Sequence, residues 1–129
     1  MVVIMSQYSK YKNLYVTSLT PGEQLVLLLD HACVNIAKAI EFIKTDDIEN
    51  AHISIVKAED IFSYLIDNLD TNYPISNEIL PIYTFIIEKL IEANIKKNHE
   101  ILTELKPLVV SIRDTWKEAD LLSRTGNKT

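Results

Sequence analysis

Apolar residues return along this chain with the 3.6-residue period of helices, in four stretches. The first opens at Thr20-Pro21-Gly22-Glu23, a capping box with proline at the first helical position. Leu25, Leu28, Leu29, Ala32, Ile36, Ala39, Ile40 and Ile43 then share one face, and the pattern predicts a helix to about Lys44. Asp30, His31, Asn35, Lys38 and Glu41 lie opposite, with Leu27 and Val34 among them as candidates for an outside contact. Thr45-Asp46-Asp47 stops this helix and caps a second, whose seam is Ile48, Ala51, Ile55, Ala58, Phe62, Leu65, Ile66 and Leu69. Ile53, Lys57, Ile61 and Tyr64 form another row on its far side.

Residues 70–77 read as the one substantial loop, with Ser76 as the N-cap of a third helix and Pro81 either near that helix's first turn or marking a late start. Ile79, Ile82, Tyr83, Ile86, Leu90 and Ala93 make its core face, Leu80, Ile87 and Ile91 a second stripe, and Thr84, Glu88 and Glu92 the polar side. Lys96 and Lys97 set positive charge at the helix's negative end, and Asn98 suits the N-cap of a fourth helix, His99 to about Leu122. Ile101, Leu102, Leu105, Leu108, Val109, Ile112, Trp116 and Ala119 should face inward there. Pro107 removes the hydrogen bond to the Thr103 carbonyl and should bend the axis.

Four amphipathic stretches joined mostly by short loops predict an all-α fold, an antiparallel up-down four-helix bundle over residues 20–122. The sequence predicts an extended or short-helical N-terminal arm over residues 1–19 and a flexible tail over 123–129. The second apolar rows exceed what one narrow core needs. They fit a surface for a partner, a helix squeezed between two neighbours, or a homodimer interface.

Composition narrows the function classes. The 129 residues include only 2 Gly and 4 Pro, which favours long helices over a turn-rich sheet. A net charge of −5 disfavours nucleic-acid binding. No apolar run approaches a membrane span, Met1–Met5 lacks the build of a signal peptide, and a lone Cys33 suits a reducing cytoplasm. Glu49 and His52 have the Glu-x-x-His spacing of carboxylate-bridged di-metal bundles. The second copy and the further inward glutamates that such a site needs are missing. With no glycine-rich phosphate loop and no His placed to activate Cys33, the sequence predicts no enzyme, no metal and no cofactor.

Several segments in register carry a resemblance. Tyr8 and Tyr11 with Val16 precede Thr20-Pro21 and Leu25-Val26-Leu27-Leu28-Leu29. Lys57-Ala58-Glu59-Asp60-Ile61 and Leu69-Asp70 follow, then Ile82-Tyr83, Leu90-Ile91-Glu92-Ala93-Asn94-Ile95-Lys96 and Arg113-Asp114-Thr115-Trp116-Lys117-Glu118-Ala119. Over residues 8–119 the chain resembles the flagellar secretion chaperones, the FliS family, cytoplasmic chaperones of flagellin export. It departs from the family at Asp30-His31-Ala32, where Tyr-Asp-Gly is common, and in holding Pro81 and Pro107 within helices. The resemblance implies a bundle whose outer grooves bind the disordered C-terminal segment of flagellin as helices and so prevent early polymerisation. It points to Ile53, Lys57, Ile61, Tyr64, Leu80, Ile87, Ile91, Asn94 and Ile95 as client-binding. It also implies that Tyr8, Tyr11 and Val16 of the arm cover part of the groove and take part in docking at an export-gate protein. Helix-in-groove recognition needs such rows of aliphatic side chains on outward helix faces.

Overall fold

A computed structural model describes residues 19–70, 72 and 74–126. The described residues form four helices, α1 (Pro21–Lys44), α2 (Ile48–Asp67), α3 (Pro74–Lys96) and α4 (His99–Gly126). Each packs on its neighbours in sequence, and α4 closes back on α1. Pairings between helices run in opposite directions along the chain. Glu23 meets Arg124 and Asp30 meets Arg113 across α1 and α4, while His52 meets Asn94 and Phe62 meets Tyr83 across α2 and α3. The expected antiparallel four-helix bundle is therefore the observed architecture.

Local chemistry fixes the helix ends. The Thr20 hydroxyl accepts from the Glu23 amide, and the Glu23 carboxylate accepts from the Thr20 amide, so the capping box forms as read. That backbone hydrogen bond is the main reason the Glu23 carboxyl is held below its ordinary range, with the Thr20 hydroxyl and Arg124 acting the same way. Asp47 Oδ1 accepts from the Asn50 amide and Asn98 Oδ1 from the Glu100 amide, capping α2 and α4. Thr20→Ala is expected to cost about 1 kcal/mol in urea unfolding, since it removes one cap and leaves every core contact in place.

Both tight turns end their helix on a residue other than glycine in the left-handed region. Asp46 (φ 60°) follows α1 and Lys97 (φ 48°) follows α3. In each, an amide reaches back five residues, Asp47 to the Phe42 carbonyl and Asn98 to the Ala93 carbonyl, which is the hydrogen bonding of a Schellman motif. Lys97 holds its conformation by donating from Nζ to the Asn94 carbonyl and to Asn94 Oδ1.

Two boundaries differ from the sequence reading. Helix α3 begins at Pro74, so Ser76 lies within it as a buried side chain whose hydroxyl donates to the Asp70 carbonyl. Pro81 thus falls inside the helix, where its ring is exposed to solvent. Helix α4 runs to Gly126, four residues past Leu122, with Arg124 tied to Asp120 and Glu23.

The core is one cluster centred on Leu29, Ile36, Ile55, Phe62, Ile86, Leu90, Leu102 and Val109, and the Phe62 and Tyr83 rings meet at a tilt with centroids 5.6 Å apart. It also holds Ile61, 5% exposed, which the wheel had set on the outer row. Helix α2 is flanked by two neighbours, so its buried arc is wider than the seam and takes in Ser54 and Ile61 beside Leu65. Trp116, expected fully inward, packs on this cluster only half-buried, and Ile48, Ile82 and Ala119 are exposed.

Candidate functional site

Helix α3 carries apolar side chains on both flanks of its core face. The flank toward α2 holds Leu80, Ile87, Ile91 and Ile95, with Ile87 packed on the core and Ile95, 79% exposed, at the outer end. Asn94 marks the junction with α2. Its Oδ1 accepts from Lys97 Nζ at 2.7 Å, which leaves its Nδ2 to donate to His52 Nδ1 at 2.9 Å. His52, once a metal candidate, is thus a hydrogen-bond partner. Among the described residues no three His, Cys, Asp or Glu side chains gather where they could hold a metal ion.

The opposite flank faces α4 across a groove. Ile75, Ile79 and Ile82 line it from α3, and Ile112, Thr115, Trp116 and Ala119 from α4. The groove exists because the α3–α4 interface is the least extensive of the four, so Ile82 and Ala119 meet no opposing helix closely enough to be covered. A second apolar groove opens at the end of the bundle where α1 begins and α2 ends. Leu25 and Leu28 of α1, Tyr64 of α2, Leu69 just past the end of α2, and Ile75 and Ile79 of α3 border it.

The nine residues expected to bind a client do not share one groove. Leu80, Ile87, Ile91, Asn94 and Ile95 lie together along α3. Tyr64 lines the end groove beside α1, and on a helical wheel it stands about 120° from His52, the α2 residue that reaches α3. Ile53 and Lys57, exposed, belong to the Tyr64 row. Ile61 is a core residue and leaves the set. Tyr8, Tyr11 and Val16 lie outside the described residues. The α4-facing groove is what pattern reading missed. Its signal was the placing of Ile82, Ile112, Trp116 and Ala119 on inward faces with no helix between them to fill the gap.

Two ionisable groups are perturbed by burial. The Cys33 thiol is pushed up mainly by desolvation, which keeps it protonated and a poor nucleophile. Glu59 is half-buried, and its Oε2 is enclosed without a hydrogen-bond partner. Desolvation raises its carboxyl first and the Asp60 charge adds to this, while His52 opposes it. A carboxyl raised in the folded state binds more protons there than in the unfolded chain, so stability falls as pH rises from the ordinary carboxylate range through the raised one. Glu59→Gln should therefore raise the melting midpoint at pH 8 and change it little at pH 4. Equal shifts at both values would place the effect in packing.

The sequence profile of the flagellar protein FliS matches residues 4–122. The flagellar secretion chaperone FliS of Bacillus subtilis (strain 168) is 32% identical over 119 residues, 92% of this chain and 89% of that one. The chain belongs to the FliS family. The motifs named above now have structural places. Arg113 of the Arg113-Asp114-Thr115-Trp116 segment pins α4 to Asp30 of α1 at 2.9 Å and holds Asp114 at 2.8 Å, while Trp116 turns into the grooves. In the Leu90-Ile91-Glu92-Ala93-Asn94-Ile95-Lys96 segment, Leu90 and Ala93 are core, Ile91 and Ile95 are exposed, and Glu92 pairs with Lys89 and Lys96.

Proposed function

We propose that this FliS-family protein is a cytoplasmic flagellar secretion chaperone whose client is the C-terminal segment of flagellin. The segment folds as helices against the two apolar flanks of α3. The observation that carries this reading is that α3 keeps both flanks apolar while the core buries mainly its central stripe, leaving Ile75, Ile82, Ile91 and Ile95 exposed. A lone scaffold helix at neutral pH gains nothing from exposed Ile75, Ile82, Phe85, Ile91 and Ile95, whereas an amphipathic client helix gains by covering them. One client helix lies along Leu80, Ile87, Ile91 and Ile95 beside Asn94, and another enters the groove toward α4. Tyr64, with Ile53 and Lys57 along its row, borders the client's path at the bundle end. Covering these surfaces on flagellin's own assembly segment prevents polymerisation before export. Pro21, at the start of α1, lines the end groove, and the arm that precedes it carries Tyr8, Tyr11 and Val16. This arm contributes to docking at the export gate. In the described residues no helix is long and apolar enough to cross a membrane, which accords with work in the cytoplasm.

Calorimetric titration tests this reading. A synthetic flagellin C-terminal segment should bind with a negative heat-capacity change, the mark of apolar burial. Flagellin lacking that segment should not bind. Binding of the truncated flagellin, or none by the peptide, would move the client element elsewhere. Self-association through these rows that the peptide leaves undisturbed would favour the homodimer reading.

A further inference from the structure

The end groove and the α3–α4 groove share one wall. Ile75, Ile79, Tyr83 and Trp116 border both, and of these only Trp116 comes from α4. Tyr83 is buried at 2% exposure and tilted against Phe62. Burial pushes its hydroxyl's pKa up, and a hydrogen bond from the Trp116 indole acts against that shift. Trp116 lines both grooves beside this ring and stands as a partition between them.

An apolar helix laid along α3 into both grooves must cross this partition. We propose that Trp116 is a specificity-determining residue. It selects client segments that carry a bulky apolar side chain for each groove and a small residue, Gly, Ala or Ser, where the helix passes over the indole. On one helical face this pattern is bulky at i and i+7 with the small residue at i+3 or i+4. The inference rests on the client reading above and adds a sequence rule to it.

The test exchanges volume between the partners. Each Gly, Ala and Ser of a flagellin C-terminal peptide is changed in turn to Leu, and every peptide is titrated against the native protein and against Trp116→Ala. At one position, flanked by bulky residues as described, Leu should weaken binding to the native protein by about tenfold or more, because overfilling a packed contact is costly. Trp116→Ala should bind that same peptide as well as it binds the parent. A purely structural Trp116 would weaken all peptides alike, and that uniform loss would overturn the proposal. Trp116→Leu replaces the alanine variant if circular dichroism shows the latter unfolded. Trp116 is the chain's one tryptophan, so peptide binding to the native protein should also shift its emission, and an unchanged spectrum on saturation would overturn the proposal without any variant. If the parent peptide fails to bind the native protein, the client reading itself falls. If it binds and no position shows the exchange, only the partition falls.

Discussion

Phe62→Asp is expected to leave the protein unfolded, and Ile61→Asp to do nearly the same, while Ile91→Asp keeps its helicity and melts close to the native midpoint. Phe62 has no exposed surface and holds the centre of the core against Tyr83. Removing a buried aromatic ring costs about 3–5 kcal/mol, and an enclosed carboxylate without a partner adds several more. Together these match the whole stability of a typical domain, about 5–15 kcal/mol. Ile61 is 5% exposed, so a carboxylate there meets the same desolvation with less lost volume, whereas Ile91 is 42% exposed and its replacement stays hydrated. Far-UV circular dichroism with thermal melts distinguishes the three. A cooperative Ile61→Asp melt near the native midpoint would return that residue to the outer surface.

The second large effect concerns binding. Ile75→Asp with Ile82→Asp should preserve the fold and lower affinity for the flagellin C-terminal peptide about a thousandfold. These residues are 53% and 40% exposed and both line the α3–α4 groove. Anchor residues of this kind cost about 2 kcal/mol or more each on truncation, and a charge in the groove repels an apolar client further. Val34→Asp on α1 and Leu121→Asp on α4, both exposed and outside these grooves, serve as controls and should bind normally. If Val34→Asp is the variant that fails to bind, the client lies along α1.

The parts of the fold legible in the sequence are those set by local chemistry. Thr20 with Glu23, Asp47, and Asn98 cap their helices as read because a cap depends on a few adjacent residues. The start of α3 was misread for the same reason. Ser76 looks like a cap, but Pro74 two residues earlier suits the first helical position and the Ser76 hydroxyl found an acceptor in the preceding loop. What the period alone could not settle is how far a neighbour's cover extends. The wheel sets Ile61 on the outer row of α2 and Ile82 on the core face of α3, and the structure reverses both. The first is covered because α2 is packed on both sides, and the second is open because α3 and α4 part. Trp116 shows the same limit from the side of size, since a correct inward heading still leaves part of a large ring beyond the core.

The closure of α4 on α1 bears on how the chain is made. It is the most extensive interface in the bundle, and its ion pairs join Glu23 to Arg124 and Asp30 to Arg113, residues separated by most of the sequence. A chain emerging from the ribosome presents the α4-facing side of α1 long before α4 has been synthesised, and the helices already out lack the partner that covers it. Completion of the bundle therefore waits for release of the last helix, and a transcript cut short before α4 yields a chain with a sticky, protease-sensitive face. Such fragments should be cleared rather than accumulate, so that only finished molecules are present to bind a partner.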